Sequence, residues 1–184
     1  MFSIIIATRD SERALVPTLA ALVPGATAGI VREVIVADDG STDATAEVAD
    51  MAGCHFLSST QPLGLRLKEA AASARGVWLM FLRPAIVPGP GWIDDVFHFV
   101  EETERQDKKQ AAAFADGGRT FAALLRRSLR LLPDAGQGLI LRKSFYDELG
   151  GHSAEAADPE TAFLRRIGRG RIVILSVAAT IVDI

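Results

Sequence analysis

Val36-Ala37-Asp38-Asp39-Gly40-Ser41-Thr42-Asp43 is the stretch on which the fold turns. An apolar run, Glu33 to Asp38, ends in two adjacent carboxylates. A glycine follows, then Ser41, Thr42 and Asp43, each able to cap a helix. Asp43 to Met51 then reads as that helix. Strand, acidic pair, glycine turn and helix make the junction of an α/β unit, and open parallel sheets bind their ligands at the carboxyl ends of such strands. A carboxylate there accepts hydrogen bonds from the N–H edge of a base or from ribose hydroxyls. A turn plus a helix cap is the other reading, and it accounts for Gly40 and one polar residue. It does not account for two carboxylates together, so spacing alone leaves both readings open.

The same alternation extends on either side. Phe2 to Ala7 is a β-branched run, followed by a helical pattern with Leu15, Leu19 and Leu22 on one face. Pro17 falls inside that pattern, which predicts a late start or a kink. Cys54 to Ser58 reads as a third strand and Leu63 to Arg75 as an alanine-rich helix that Gly76 is placed to end. Val77 to Leu82 is apolar throughout, as expected of a strand buried on both faces. Four such units predict an α/β domain with a mostly parallel sheet flanked by helices. Pro84, Pro88, Gly89, Pro90 and Gly91 mark a stiff loop before a helix from Trp92 to Glu104. Beyond it, Ala111 to Ala115 and Gly138 to Leu141 read as strands. Lys143 to Leu149 and Glu160 to Ile167 read as helices, and Arg171 to Asp183 as a closing strand or strand pair. Arg119 to Leu132 is amphipathic, with Phe121, Leu124, Leu125, Leu129 and Leu132 on one face and Arg119, Arg126, Arg127 and Arg130 among the rest. It reads either as a core-packed helix with a solvated basic face or as a helix that meets anionic lipid.

The chain of 184 residues suffices for one domain with a well-buried core. Its 49% apolar and 23% charged residues exclude a disordered chain. The net charge of -3 gives no electrostatic reason to expect nucleic acid as a partner. Cys54 is the sole cysteine, so no intramolecular disulfide forms, and its place in an apolar strand predicts an inert buried thiol. The N-terminus lacks the basic and long apolar regions of a signal peptide, and no apolar run reaches the roughly 20 residues that cross a bilayer. The expected location is the cytoplasm. His55, His98 and His152 show no metal-ligand spacing and are expected to be partly exposed or satisfied histidines.

Several stretches, in order along the chain, carry a resemblance to a known family. Ile4-Ile5-Ile6-Ala7-Thr8 is one, and Ile35 to Thr45, with its Asp-Asp-Gly-Ser-Thr-Asp core, is the second. Ala74-Arg75-Gly76 before Trp78-Leu79-Met80-Phe81-Leu82 comes next, then Pro88 with Gly91-Trp92. Gln137 to Ser144 with Leu149-Gly150-Gly151, and Asp158-Pro159-Glu160 with Arg165-Arg166 and Gly168-Arg169, complete the series. This pattern resembles family 2 glycosyltransferases of the GT-A, nucleotide-diphospho-sugar transferase, fold. The resemblance implies a single-domain protein over 1–184, with 1–92 as the nucleotide-binding half and 93–184 as the acceptor-side half. It implies a nucleotide-sugar donor and a carbohydrate or lipid-linked acceptor. It places Thr8, Asp10, Asp38 and Asp39 at the nucleotide, and Asp158 as the general base that takes the proton of an acceptor hydroxyl. By itself Asp158 before Pro159 also reads as an ordinary helix cap.

The departures from the family are as informative as the matches. Where relatives end the fourth strand with Asp-x-Asp or His-Ala-Asp and hold Mg²⁺ or Mn²⁺, this chain has Arg83-Pro84-Ala85. The family's Asn-x-Gly is Lys68-Glu69-Ala70, and the Glu of its Glu-Asp pair is Ala157. Neither alanine nor arginine offers the side-chain oxygen such metals take. The expectation is therefore no metal cofactor, with Arg83, helped by Arg66 or Lys68, facing the donor's diphosphate. Otherwise Arg83 is expected to point to solvent or to pair with Asp94 or Asp95. Three functions are carried forward: a metal-independent glycosyltransferase at the inner face of the membrane, a degenerate relative that binds a nucleotide or a partner, and an unrelated α/β protein with a receiver-like acidic pocket at Asp38-Asp39.

Overall fold

Ile4, Ile5 and Ile6 are all fully buried, although consecutive strand residues point to opposite faces. That requires a layer on both sides of the strand. The computed structural model describes residues 1–117, 133 and 138–182. Its strands are β1 (Phe2–Thr8), β2 (Val31–Asp38), β3 (His55–Ser58), β4 (Trp78–Leu82), β5 (Ile86–Pro88), β6 (Ala111–Asp116), β7 (Leu139–Arg142) and β8 (Ile172–Ile181). Its helices are α1 (Glu12–Thr27), α2 (Thr45–Met51), α3 (Leu63–Ser73), α4 (Trp92–Arg105), α5 (Lys143–Glu148) and α6 (Pro159–Ile167). The sheet order is β3-β2-β1-β4-β7-β6-β8-β5. The β3-β2-β1-β4 portion is parallel throughout; β7 then runs antiparallel to β4 and to β6, while β8 is parallel to β6.

Two cores follow from the alternation. Ile4, Ile6, Val36, Met80 and Leu82 pack with Leu15 and Leu22 of α1, Ala49 of α2, and Trp92, Val96 and Phe99 of α4. Ile5, Ile35, Ala37, Leu79 and Phe81 pack on the other side with Leu67, Ala70 and Ala71 of α3, Phe145 and Tyr146 of α5, and Phe163, Leu164 and Ile167 of α6. Each fully buried Leu or Ile contributes roughly 1.5–3 kcal/mol, so β1 and β4 anchor the fold. All five residues of β4 are buried, as its unbroken apolarity predicts.

Several expectations are corrected. Helix α1 does not start late: it begins at Glu12 and runs through Pro17 and Pro24. Its first turn is held from outside, because Asp43 accepts the Glu12 N–H at 3.0 Å and Thr45 Oγ1 accepts the Ser11 N–H at 2.8 Å. A tertiary cap thus fixes the start that Pro17 would otherwise delay. Gly76 does not end α3, which stops at Ser73. A Cβ on Gly76 would lie 2.5 Å from the Ser3 nitrogen, and the Gly76 N–H donates to Ser3 Oγ at 2.8 Å, so the glycine lets this segment approach β1. The loop after Pro84 contains a short strand, β5, paired antiparallel with β8. Helix α2 starts at Thr45 rather than Asp43. The basic segment Arg119 to Leu132 lies outside the described residues. Among the described residues no helix is long and apolar enough to cross a membrane.

Candidate functional site

Strand register assembles the crevice. Thr8 at the end of β1 is paired with Asp38 at the end of β2, and Ile6 is paired with Leu82 of β4. Arg83, one residue beyond Leu82, therefore stands level with Ala7 on the adjacent strand. The chain adds β2 and β3 to one side of β1 and β4 to the other, so the β1/β4 boundary is the topological switch point at which open α/β sheets bind ligands.

The β1/β2 side is a net of short hydrogen bonds. Thr8 Oγ1 donates to Asp38 Oδ1 at 2.8 Å, and the Ser41 N–H donates to Asp38 Oδ2 at 2.7 Å. The Ser41 hydroxyl donates to Asp38 Oδ1 as well. Thr8 is 3% and Asp38 1% exposed, so both turn inward and brace the turn that Gly40 makes at φ +66°. Asp10 takes a left-handed φ of 42°, unusual for a residue with a Cβ. There its N–H donates to Ser41 Oγ at 2.9 Å and its carboxylate accepts the Thr42 N–H at 2.8 Å. Glu12 accepts the Ala44 N–H at 3.1 Å while Asp43 accepts from Glu12, so the starts of α1 and α2 cap each other. For Asp43, burial pushes the carboxyl up, but the Thr45 and Glu12 hydrogen bonds outweigh it and hold it below the usual range.

Asp39 faces the crevice mouth. Its carboxylate lies 3.3 Å from Arg9 and 3.4 Å from Arg66. Arg66 is 8% exposed, donates from Nη1 to the Ala37 carbonyl at 2.8 Å and from Nε to the Gln61 carbonyl at 3.1 Å. It ties α3 to the end of β2 and is occupied on all three nitrogens. Lys68 lies elsewhere, lining a cavity of about 320 Å³ with Leu65, His152, Ser153, Glu155 and Arg166.

The β4 side is built differently. Arg83 Nε lies 3.0 Å from Glu160 Oε2 and 3.3 Å from Oε1, and Nη2 makes a second, closer contact to the same carboxylate. The expected partners Asp94 and Asp95 are not the ones used; Asp95 accepts the Val177 N–H at 2.8 Å instead. Asp158 caps α6, accepting the Thr161 N–H at 3.0 Å. The Thr161 hydrogen bonds, and after them the charge of Arg83, hold its carboxyl below the usual range despite some burial. Asp158 is thus ionised at neutral pH and exposed at the edge of the crevice. Ala85 follows with a φ of 66°, a second strained residue at a strand end. The residues that follow β4 are Arg83, Pro84 and Ala85, and none of their side chains offers an oxygen to a divalent cation. Among the described residues no three His, Cys, Asp or Glu side chains come together to hold one.

Of the other residues singled out in the sequence, His55 and His98 are exposed, whereas Cys54 and His152 sit partly or fully inside the fold. Cys54 is half-buried and burial pushes its thiol up to about 11. His152 is buried, with Nδ1 2.9 Å from the Tyr146 hydroxyl, and burial with the Arg166 charge pushes it down to about 3. Glu160, Ser41 and Glu12 were not singled out as site residues. Glu160 stands in the first turn of a helix, where an acidic residue is ordinary, and nothing local signals a partner 77 positions away.

Residues 3–164 match the family described as glycosyl transferase family 2. The chain belongs to glycosyl transferase family 2. No curated protein matches it. Among solved structures, TarS 1–349 of S. aureus has a TM-score of 0.75 at 19% identity, over 98% of this chain and 60% of that one. The same protein in complex with UDP-GlcNAc gives 0.74 at 20% identity, over 99% and 59%. Glucosyl-3-phosphoglycerate synthase of Mycobacterium tuberculosis, in complex with Mn²⁺, UDP and glucosyl-3-phosphoglycerate, gives 0.70 at 21% identity, over 95% and 68%. These likenesses establish the GT-A fold of the family 2 domain, and the chain spans about 60% of the length of TarS 1–349.

Proposed function

We propose that this family 2 domain transfers a sugar from a nucleotide-sugar donor without a divalent metal, with the nucleoside diphosphate lying across the ends of β2, β1 and β4. The observation that carries the reading is the register that pairs Thr8 with Asp38 and brings Arg83, the residue after Leu82, level with Ala7 at the switch point. Asp10, Asp39 and Arg66 frame the nucleoside end, and Thr8 and Asp38 stiffen it from beneath. Arg83 supplies positive charge to the diphosphate, since a guanidinium is always charged and its planar fork suits phosphate oxygens. Asp158 serves as the base: the acceptor oxygen bonds to the anomeric carbon, the bond from that carbon to the diphosphate breaks, and the acceptor proton passes to the Asp158 carboxylate. The acceptor is a carbohydrate or a lipid-linked one, used in the cytoplasm at the inner face of the membrane; co-sedimentation with anionic but not neutral vesicles tests that location. The solved relatives with bound UDP and UDP-GlcNAc support a uridine nucleotide as the probe.

A second reading has an observation of its own. Arg66 and Arg83 both bind carboxylates of the chain itself, which suits a domain that binds a nucleotide or a partner without turnover. Melting curves test both readings. UDP at 100 times its dissociation constant adds about 2.7 kcal/mol of stability, equally in EDTA and in Mn²⁺. No shift with any nucleoside diphosphate at millimolar concentration rejects the nucleotide site, and a shift that needs Mn²⁺ rejects metal independence. Hydrolysis or transfer of UDP-sugars, measured on the same protein, separates enzyme from binding module.

A further inference from the structure

The cation at the end of β4 and the first turn of α6 are linked by an ion pair whose chemistry has a counterpart in the donor. We propose that Glu160 is an internal counter-ion that holds the phosphate-facing fork of Arg83 and yields it to the donor's diphosphate, so that Glu160 sets diphosphate affinity. This rests on the nucleotide site proposed above. The geometry is that of a two-point contact: Nε and Nη2 of Arg83 both meet the Glu160 carboxylate, with Nε to Oε2 at 3.0 Å. A guanidinium engages two phosphate oxygens with the same fork, so carboxylate and phosphate compete for one pair of N–H groups. Exposure is uneven, 44% for the Arg83 side chain and 14% for Glu160. The Arg83 side chain is therefore the more open member of the pair.

The exchange leaves neither partner stranded. Glu160 is the second residue of α6, after Pro159, where the first-turn N–H groups and the positive end of the helix favour an anion. Its carboxylate keeps that stabilisation when Arg83 turns away. A diphosphate carries more negative charge than one carboxylate, and it gains the guanidinium in the crevice at the β1/β4 switch point. The outcome is a brake on binding specific to the phosphates: the nucleoside contacts at Asp10 and Asp39 lie past the ends of β1 and β2 and are untouched.

Calorimetric titration with uridine and with UDP, on the wild type, Glu160→Gln, Arg83→Ala and the double variant, tests this. Glu160→Gln is close to isosteric, and its melting temperature reports that it folds. The expected result is uridine affinity unchanged in all four proteins and UDP affinity about fivefold tighter in Glu160→Gln, the worth of an ion pair of this exposure. Arg83→Ala weakens UDP by about tenfold, and adding Glu160→Gln to it restores nothing, because the brake acts through Arg83. If uridine binds the wild type but Glu160→Gln leaves UDP affinity unchanged or weaker, the counter-ion role is overturned while the nucleotide site stands. A gain in the double variant equal to that in Glu160→Gln alone also overturns it, since the effect would then be a general field. If neither ligand binds the wild type, the nucleotide site itself is overturned and this role with it.

Discussion

The two sides of the crevice solve the same electrostatic problem in opposite ways. At the ends of β1 and β2, the carboxylates of buried Asp38, half-buried Asp43 and exposed Asp10 are met by N–H groups and hydroxyls of the neighbouring loop. Their partners are fixed by the backbone, and the two loops cannot move apart without stranding several of them. At the end of β4 one long, half-exposed side chain meets another across 77 residues, and Asp158 rests on a single cap. The first arrangement is a scaffold. The second is an exchangeable contact, suited to a place where charge must arrive and leave.

Removing Asp38 gives the largest expected effect. Asp38→Ala strands the buried Thr8 hydroxyl and the half-buried Ser41 N–H and should cost about 3 kcal/mol in urea unfolding. A cost below about 1 kcal/mol would show that the β1/β2 net is decorative, and the contrast between the two sides would fall. Next, if transfer occurs, Asp158→Asn should lower turnover by roughly 10²-fold, the scale of a lost general base. Its stability should hardly change, because asparagine caps helices as well as aspartate. Turnover equal to the wild type would leave Asp158 a cap only.

Outside the crevice, His152 supplies a reference for buried chemistry. Its folded pKa, about 3, lies below the unfolded value near 6.5. The unfolded chain therefore binds the extra proton, so the stability is fully present above pH 6.5 and is lost as pH falls from there toward 3. The slope is on the order of 1.4 kcal/mol per pH unit in that window. His152→Gln should flatten it; an unchanged slope in the variant would assign the acid sensitivity to other groups.

The scaffold side could be read from the sequence because its signals are local. Asp-Asp-Gly-Ser-Thr-Asp places carboxylates, a left-handed turn and caps within a few residues, and the apolar runs of β1, β2 and β4 fix the strands. The start of α1 could not be read, since Asp43 and Thr45 cap it from another loop and outweigh the local signal of Pro17. Gly76 was misread for a related reason: its lack of a side chain serves contact with Ser3, 73 positions earlier. The short strand β5 is specified by its pairing to β8 rather than by its own proline-flanked sequence. Arg83 was found by its position against the family pattern, but its partner Glu160 was not, because ion pairing between distant elements leaves no periodicity.

The smallest expected effect is the one that most sharpens the contrast. Arg83 is nearly half exposed, so solvent screens its attraction to Glu160 and both side chains lose rotamer freedom in holding the pair. Glu160→Gln should therefore cost under about 1 kcal/mol in unfolding stability. Most of that cost should vanish at 1 M salt, where screening acts over about 3 Å. Asp38→Ala should remain costly in the same salt, because its partners are buried and half-buried dipoles rather than an exposed charge. An exchangeable contact has to be weak: a pair worth several kcal/mol would hold Arg83 against any incoming phosphate. A loss of 2 kcal/mol or more in Glu160→Gln, persisting at 1 M salt, would make the β4/α6 side a scaffold as well. The crevice would then have no contact free to exchange.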